Sequence, residues 1–467
     1  MTIDLSSSAD LKYKPKLWDV HKLLDLNIEG EYESRMAIFT NWLLAHQHVN
    51  LTGQRASGKT HVVQQIAKFL PEKNGLFNLS GGSEKSAYYQ AEIMKRHSHI
   101  MIPELNKLPA NNKELLKDWG EGAISEYKVV IFEAGNRRVQ TYKMHPKPFI
   151  FCLADEQELK IDDQLRSRLT TIRTDITEAM NVAVNIRQAE DAMVPSKPFN
   201  EKDYSKMREH ISTLPPWDED GYRHPAASIF VGCIPTIFTD CRRDFPKYLR
   251  NTYGITRFYW KERISATINT LDKENKLIKK KIFFVTPIDM YYNHIIYSKT
   301  LIESSLRCTS TERQLIKILQ ETKEPMNRND IQAKVRNYGM TISANMITKH
   351  LGGLADLGYV EIIKVGSSIA TYTVGKLFKD FSFDIDWNLV IAECIKNIKK
   401  YYPDVANKYI ELYCDNPVIY HPFNGVEIKI KDVKEVHKTS IKNQFSDEEL
   451  KVEVEEVIED SVDETII

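Results

Sequence analysis

The string Gly53-Gln54-Arg55-Ala56-Ser57-Gly58-Lys59-Thr60 has the form G-x-x-x-x-G-K-[ST] and constrains the chain more than any other stretch. Ahead of it Val49 and Leu51 make a short strand-like run, and behind it Val63, Ile66, Ala67 and Leu70 recur at helical spacing. Strand, glycine loop and helix together make an anion site. The glycines let backbone N–H groups curl around phosphate oxygens, and the helix N-terminus adds partial positive charge. On this reading Gly53, Gln54, Arg55, Ala56, Ser57 and Gly58 form the cradle, Lys59 reaches the β- and γ-phosphates, and Thr60 offers a hydroxyl to Mg2+. The implied ligands are ATP and Mg2+.

A chain of 467 residues, 42% hydrophobic, is long enough for several domains. Its 64 basic and 64 acidic side chains cancel, which excludes indiscriminate coating of nucleic acid; any such contact needs local basic patches. The six cysteines, Cys152, Cys233, Cys241, Cys308, Cys394 and Cys414, show no C-x-x-C spacing, so neither a structural zinc nor a disulfide framework is expected. No apolar run reaches membrane-spanning length and Met1-Thr2-Ile3-Asp4 does not open a signal peptide, so a cytoplasmic protein without a membrane partner is expected.

Hydrolysis needs a base for water and a cation near the γ-phosphate. The apolar run His99-Ile100-Met101-Ile102 ends at Pro103-Glu104, and a third, Phe149 to Leu153, ends at Ala154-Asp155. Beyond it lies Asp163-Gln164-Leu165-Arg166-Ser167-Arg168. This succession resembles the nucleotide motifs of AAA+ ATPases. The resemblance implies that Glu104 polarises the attacking water, that Asp155 positions it, and that Arg168, or failing that Arg166, reaches into a neighbouring subunit's site. It also implies a homo-oligomer, and a lid arginine, Arg243 or Arg242, contacting nucleotide. Pro103 stands where the family's metal-holding Asp belongs, which puts metal affinity and hydrolysis rate in question.

Two strand-like runs, Tyr127 to Glu133 and Arg138 to Met144, flank the turn Ala134-Gly135-Asn136-Arg137. A hairpin just before the third strand resembles the pre-sensor hairpin of the clade holding MCM helicases and MoxR-type ATPases. Arg137 and Arg138 at its tip and Lys143 and Lys147 on its return suit phosphate contact. From Ser310 to Val374 the spacing predicts a winged helix, with Ile347, Leu351 and Leu354 on the inner face of a third helix capped by Ser343. Asn345, Thr348 and Lys349 are then available to DNA, and Gly352-Gly353 is expected to end or bend that helix early. Protein docking is the other use of such a module.

The expected fold is α/β, a P-loop AAA+ core with a helical lid, followed by a winged-helix domain and an acidic tail. Its parts are an amino-terminal helical extension (1–47), the core (48–195), linker and lid (196–306), winged helix (307–376), a C-terminal extension (377–445) and a tail (446–467) with ten carboxylates against Lys451. The run Tyr32 to His46 reads as one helix, and the segments Asp244 to Leu271 and Pro287 to Leu306 read as helical. Val390, Ile391, Cys394 and Ile398 mark a folded region that would brace the winged helix. The 48 residues before Val49 leave no room for the amino-terminal domain of cellular MCM proteins, so a reduced relative is implied. Lys59 and Glu104 should face one another from adjacent parts of one sheet. These features imply an MCM-like, ring-forming DNA helicase or mobile-element replication ATPase. The alternatives are an origin-recognition-type initiator that uses ATP as a switch, and a MoxR-like protein remodeller.

Overall fold

The structure, a computed structural model, describes residues 2–4, 14–54, 57–81, 83, 86–133, 136–154, 161–174, 178–193, 201–234, 241–271, 275–305, 308–322, 324–337, 342–363, 370–375, 385–415 and 417–430. The chain forms two compact units: Met1–Arg313 with Ile385–Lys434, and Gln314–Asp384 with Glu435–Ile467.

In the first unit the strands are β1 (Thr2–Asp4), β2 (Val49–Gly53), β3 (Leu76–Asn78), β4 (His99–Ile102), β5 (Ser125–Glu133), β6 (Asn136–Met144), β7 (Phe149–Ala154), β8 (Thr170–Arg173), β9 (Tyr222–Arg223), β10 (Ser265–Leu271) and β11 (Leu277–Phe284). Five of them form a parallel sheet in the order β3-β4-β7-β2-β8. Strands covered on both faces must be apolar throughout rather than alternating, and β2 and β4 are buried along their whole length. The helix Ala110–Gly120 closes one side, with Leu115, Leu116 and Trp119 buried in the cluster that holds Phe149 and Phe151. The chain is thus a mixed α/β protein built on a parallel central sheet.

Two helical expectations are corrected. The helix from Tyr32 stays α-helical only to Ile38, then widens into a π-helical turn, Phe39–Leu44. There the side chains of Thr40 and Asn41 donate to the Ala37 carbonyl at 3.3 and 2.9 Å, competing with the backbone ladder. Within Asp244–Leu271 the helix Cys241–Phe258 is followed by β10, not by more helix. Ser265-Ala-Thr-Ile-Asn-Thr-Leu is rich in β-branched residues that suit a pleated surface, and it joins a second sheet, β1-β10-β11-β9.

Beneath that sheet, Asp289 of the helix Pro287–Ser305 is fully buried and accepts from Arg263 Nε and Nη2 (2.9 and 2.6 Å), Thr256 Oγ1 (3.0 Å) and both Thr286 N and Oγ1 (3.0 Å each). Removing the carboxylate strands the Arg263 guanidinium in a nonpolar interior. Asp289→Ala should therefore lose about 3–5 kcal/mol of stability, read as a shifted urea midpoint.

The second unit places the helices Ser310–Glu321, Arg328–Asn337 and Ala344–Asp356 beside an antiparallel sheet of β12 (Met326–Asn327), β13 (Val360–Ile363) and β14 (Thr371–Val374), in the order β12-β14-β13. Ser343 Oγ accepts from Met346 N at 3.3 Å, and Ile347, Leu351 and Leu354 are buried. The helix runs through Gly352-Gly353 to Asp356, against the expected early end. Its burial of Leu351 and Leu354 on either side outweighs the roughly 1 kcal/mol per glycine of lost propensity.

The helices Trp387–Tyr401 and Pro403–Tyr413 and the ribbon β15 (Val418–Tyr420) and β16 (Glu427–Lys429) belong to the first unit, not to the module of 307–376 that they were expected to brace. Tyr409 Oη donates to Val285 O, Tyr413 Oη to Glu262 O and Asn397 Nδ2 to Pro225 O, each at 2.7 Å. The turn Gly366-Ser367-Ser368 and the tail 446–467 lie outside the described residues. Among the described residues no helix is long and apolar enough to cross a membrane.

Candidate active site

Because the central sheet is parallel, all its strands deliver their following residues to one edge, where ligands of such sheets bind. The loop after β2, Glu104 two residues after β4 and Ala154 at the end of β7 all reach that edge. Gly58, at φ +74°, caps the helix Lys59–Ala67 in a left-handed conformation that glycine adopts without strain. Lys59 Nζ curls back over its own loop, donating to the carbonyls of Gly53 (3.0 Å) and Gln54 and to Ser57 Oγ (2.9 Å). Thr60 stands in the first turn of the helix, beside the Cys152 thiol of β7, which burial pushes up to about 11. Arg55 and Ala56, and Asp155 after β7, lie outside the described residues.

Thr174, just after β8, is part of this edge and was missed by motif reading. Its hydroxyl meets Ser57 Oγ at 3.1 Å, and a Cβ on Gly53 would collide with it. Gly53 is therefore required by a close approach from a strand more than a hundred residues away in sequence. No local signal carries that.

Glu104 is 59% exposed and paired with Lys107 Nζ at 2.8 Å. It does not stand on a strand adjacent to the loop, as expected, because β7 lies between β4 and β2. Two inter-strand spacings, about 10 Å, separate the strands. Pro103 offers no side-chain donor or acceptor at this edge.

The arginines gather elsewhere. Arg166 pairs with Asp163 at 3.6 Å; Arg168, 11% exposed, pairs with Glu121 and donates to Lys117 O at 3.4 Å. Arg243 donates to Ser167 Oγ, between the other two in sequence. These residues precede Thr170, whose N–H donates to His48 O, so they sit at the amino-terminal ends of β2 and β8. The loop is at the carboxyl ends, about 13 Å of strand away. Arg243 is thus not placed against the loop of its own chain, contrary to the lid role expected of it. Its helix starts beside the Arg166–Arg168 turn instead.

Before β7 the antiparallel pair β5–β6 stands out from the core. At its base Tyr127 and Tyr142 lie against Tyr88 and Tyr89, with ring centroids 4.7 and 5.7 Å apart. Six further rungs, about 20 Å of ribbon, extend beyond that pair. Arg137 and Arg138 are exposed near the tip, and Val130 and Val139 face each other while 53% and 61% exposed. Lys143 is spent on Glu126 at 2.8 Å, and it holds that carboxyl below its usual range. Half-buried Lys147 donates to Lys95 O at 3.2 Å, at the base rather than on the projecting ribbon. In the second unit Asn345, Thr348 and Lys349 are exposed, although Thr348 Oγ1 donates to Ala344 O at 3.1 Å.

No family model matches this sequence, and no curated protein matches it. Among solved structures the chain is similar to a candidate ATPase from Cytophaga hutchinsonii (14% identity, 52% of this chain and 79% of that one, TM-score 0.32). It is also similar to a full-length MCM homolog from Methanopyrus kandleri (9%, 64% of each chain, 0.35) and to NtrX from Brucella abortus in complex with ATP (14%, 51% and 66%, 0.25). Likeness at these scores carries no functional weight, and function has to be read from this chain's own residues.

Proposed function

We propose that this chain is an AAA+ ATPase of the MCM/MoxR-like clade, working as an ATP-driven DNA motor in a ring of identical subunits. The observation that carries the reading is the convergence of the Gly53–Thr60 loop and Glu104 on the carboxyl edge of one parallel sheet, with a long exposed hairpin immediately before β7. The loop amides and Lys59 bind the triphosphate, Lys59 exchanging its own carbonyl partners for phosphate oxygens. Glu104 orients and deprotonates the attacking water. Among the described residues no group of three His, Cys, Asp or Glu could hold a metal alone. Mg2+ therefore fits here only as a partner of the nucleotide, with Thr60 Oγ1 as protein ligand, where it would neutralise charge on the phosphates. Arg137 and Arg138 carry phosphate contact in the channel, and the second unit, a winged helix, presents Asn345, Thr348 and Lys349 to duplex.

Pro103 favours a second reading, an initiator in which ATP acts as a switch and turns over slowly. One assay separates them: ATP turnover with no DNA, single-stranded DNA and forked DNA, alongside strand displacement, with Lys59→Ala as the blank. A motor shows DNA-stimulated turnover with unwinding, lost in Glu104→Gln while ATP binding survives. Tight duplex binding with little turnover selects the initiator, and indifference to DNA selects a protein remodeller.

A further inference from the structure

The β10–β11 hairpin has two chemically different faces. Residues directly opposite in an antiparallel pair share a face, so Leu271 and Leu277, Asn269 and Lys279, and Thr267 and Lys281 line up on one side. The other side carries Ile268 with Lys280 and Ala266 with Ile282. That second side is turned inward: Ala266 and Ile282 are buried, and Lys280 is 18% exposed and bound to Asp218 at 2.7 Å. The first side is open. Leu271 and Leu277 are 60% and 72% exposed at its outer end, and Asn269, Lys279 and Lys281 are exposed behind them.

Two leucines in water at the end of a ribbon cost solvation free energy and contribute nothing to the core of the unit. Behind them the two lysines stand two residues apart, about 6.6 Å along the strand, a spacing suited to successive phosphates of one nucleic-acid strand. Apolar tips of this kind wedge between base steps while flanking cations hold the backbone. The run Lys276 to Lys281 also carries four lysines and no acid, in a chain whose overall charge is zero.

We propose that the β10–β11 hairpin is a second nucleic-acid element, distinct from β5–β6. Leu271 and Leu277 press against base pairs of a duplex, and Lys279 and Lys281 contact its phosphates. This rests on the DNA-motor reading for its partner, and the test keeps the two apart. The full-length protein is titrated against a fluorescein-labelled duplex carrying 2-aminopurine, over a range of salt. Lys279→Ala/Lys281→Ala should weaken binding about tenfold and lower the salt slope by about 1.8. Leu271→Ser/Leu277→Ser should bind within about threefold of the parent but lose the 2-aminopurine brightening that reports unstacking. DNA-free ATP turnover should be unchanged in both. If the parent binds duplex and both variants match it in affinity, slope and brightening, the hairpin assignment is overturned and the motor reading stands. A parent that binds no DNA overturns both. A change in sedimentation with DNA binding intact makes the hairpin a contact between subunits and likewise overturns the proposal.

Discussion

Two inactive variants, mixed, should regain ATP turnover. Lys59→Ala removes the cation of the loop, and Arg168→Ala removes the arginine at the far end of the same sheet. Each alone should lower turnover by about 10³-fold or more, the scale on which an arginine beside a transferring phosphoryl group acts. If Arg168 serves a neighbour's loop, mixed rings contain interfaces in which an intact loop meets an intact arginine, about one in four at equal proportions. The geometry motivates this outcome. Arg166, Arg168 and Arg243 cluster around Ser167 at the amino-terminal ends of β2 and β8, whereas the loop lies at the carboxyl ends. An arginine so placed has no path to the triphosphate of its own chain, and a head-to-tail ring brings one end of each sheet to the other end of the next. Arg243→Ala should behave as Arg168→Ala does in the mixture. The measurement is steady-state phosphate release from each variant and from the pair; a mixture no faster than its components would defeat the shared-site arrangement. The Arg168–Glu121 pair adds a second expectation in the same assay. Glu121→Gln releases the guanidinium without removing it, so turnover should be kept, or raised, rather than abolished.

The nucleotide loop was legible because its chemistry is local: seven consecutive backbone units and one lysine make the cradle, and the apolar runs on either side declare a buried strand and a helix. The hairpin β5–β6 was legible for a similar reason, since its turn residues and alternating strands are neighbours in sequence. What escaped reading was set by contacts remote in sequence. Thr174 matters because β8 pairs with β2, and pairing partners do not announce themselves. Arg243 has the right residue type for a lid contact, but the helix that carries it is docked on the Arg166–Arg168 turn through Ser167 and through Lys247, which donates to Leu169 O at 2.9 Å. Glu104 was found by its place after an apolar run, while the strand standing between it and the loop follows from sheet order alone. The β10 error has a physical origin too. Ile264, Ala266, Ile268 and Leu271 satisfy a helical period for a single turn, and only the β-branched content of the run argues for a strand.

Stability should collapse in mild acid, because a group of histidines is held neutral at the amino-terminal end of the sheet. His46 and His99 meet edge to face at 5.1 Å; His99 also packs on Trp42, and His46 stacks on Trp217. Arg257 Nη1 donates to His46 Nε2 at 3.1 Å, so that nitrogen is an acceptor and the ring is neutral. His48 donates from Nε2 to Trp119 O at 3.0 Å and stacks on Phe149, while its Nδ1 meets no hydrogen-bond partner. A second proton on either ring would be buried beside a guanidinium or without an acceptor. Burial, and then the charge of Arg257, lowers His46 well below its usual range and His99 to about 3; Lys147 adds to both, and burial lowers His48 to about 4. The sign follows directly. Unfolded histidines titrate near 6.5, so above that pH neither state binds the extra protons and the contribution is complete. Between about 6.5 and 4 the unfolded chain takes up three protons that the folded chain refuses, and stability falls by up to about 4 kcal/mol per pH unit. Urea midpoints at constant ionic strength should therefore be flat from pH 8 to 7 and drop steeply from 6.5 to 5. His99→Phe should flatten part of that slope, since it keeps the ring contact with Trp42 and removes one titrating site. An acid slope identical in His99→Phe and the parent would show that the protons are taken up elsewhere.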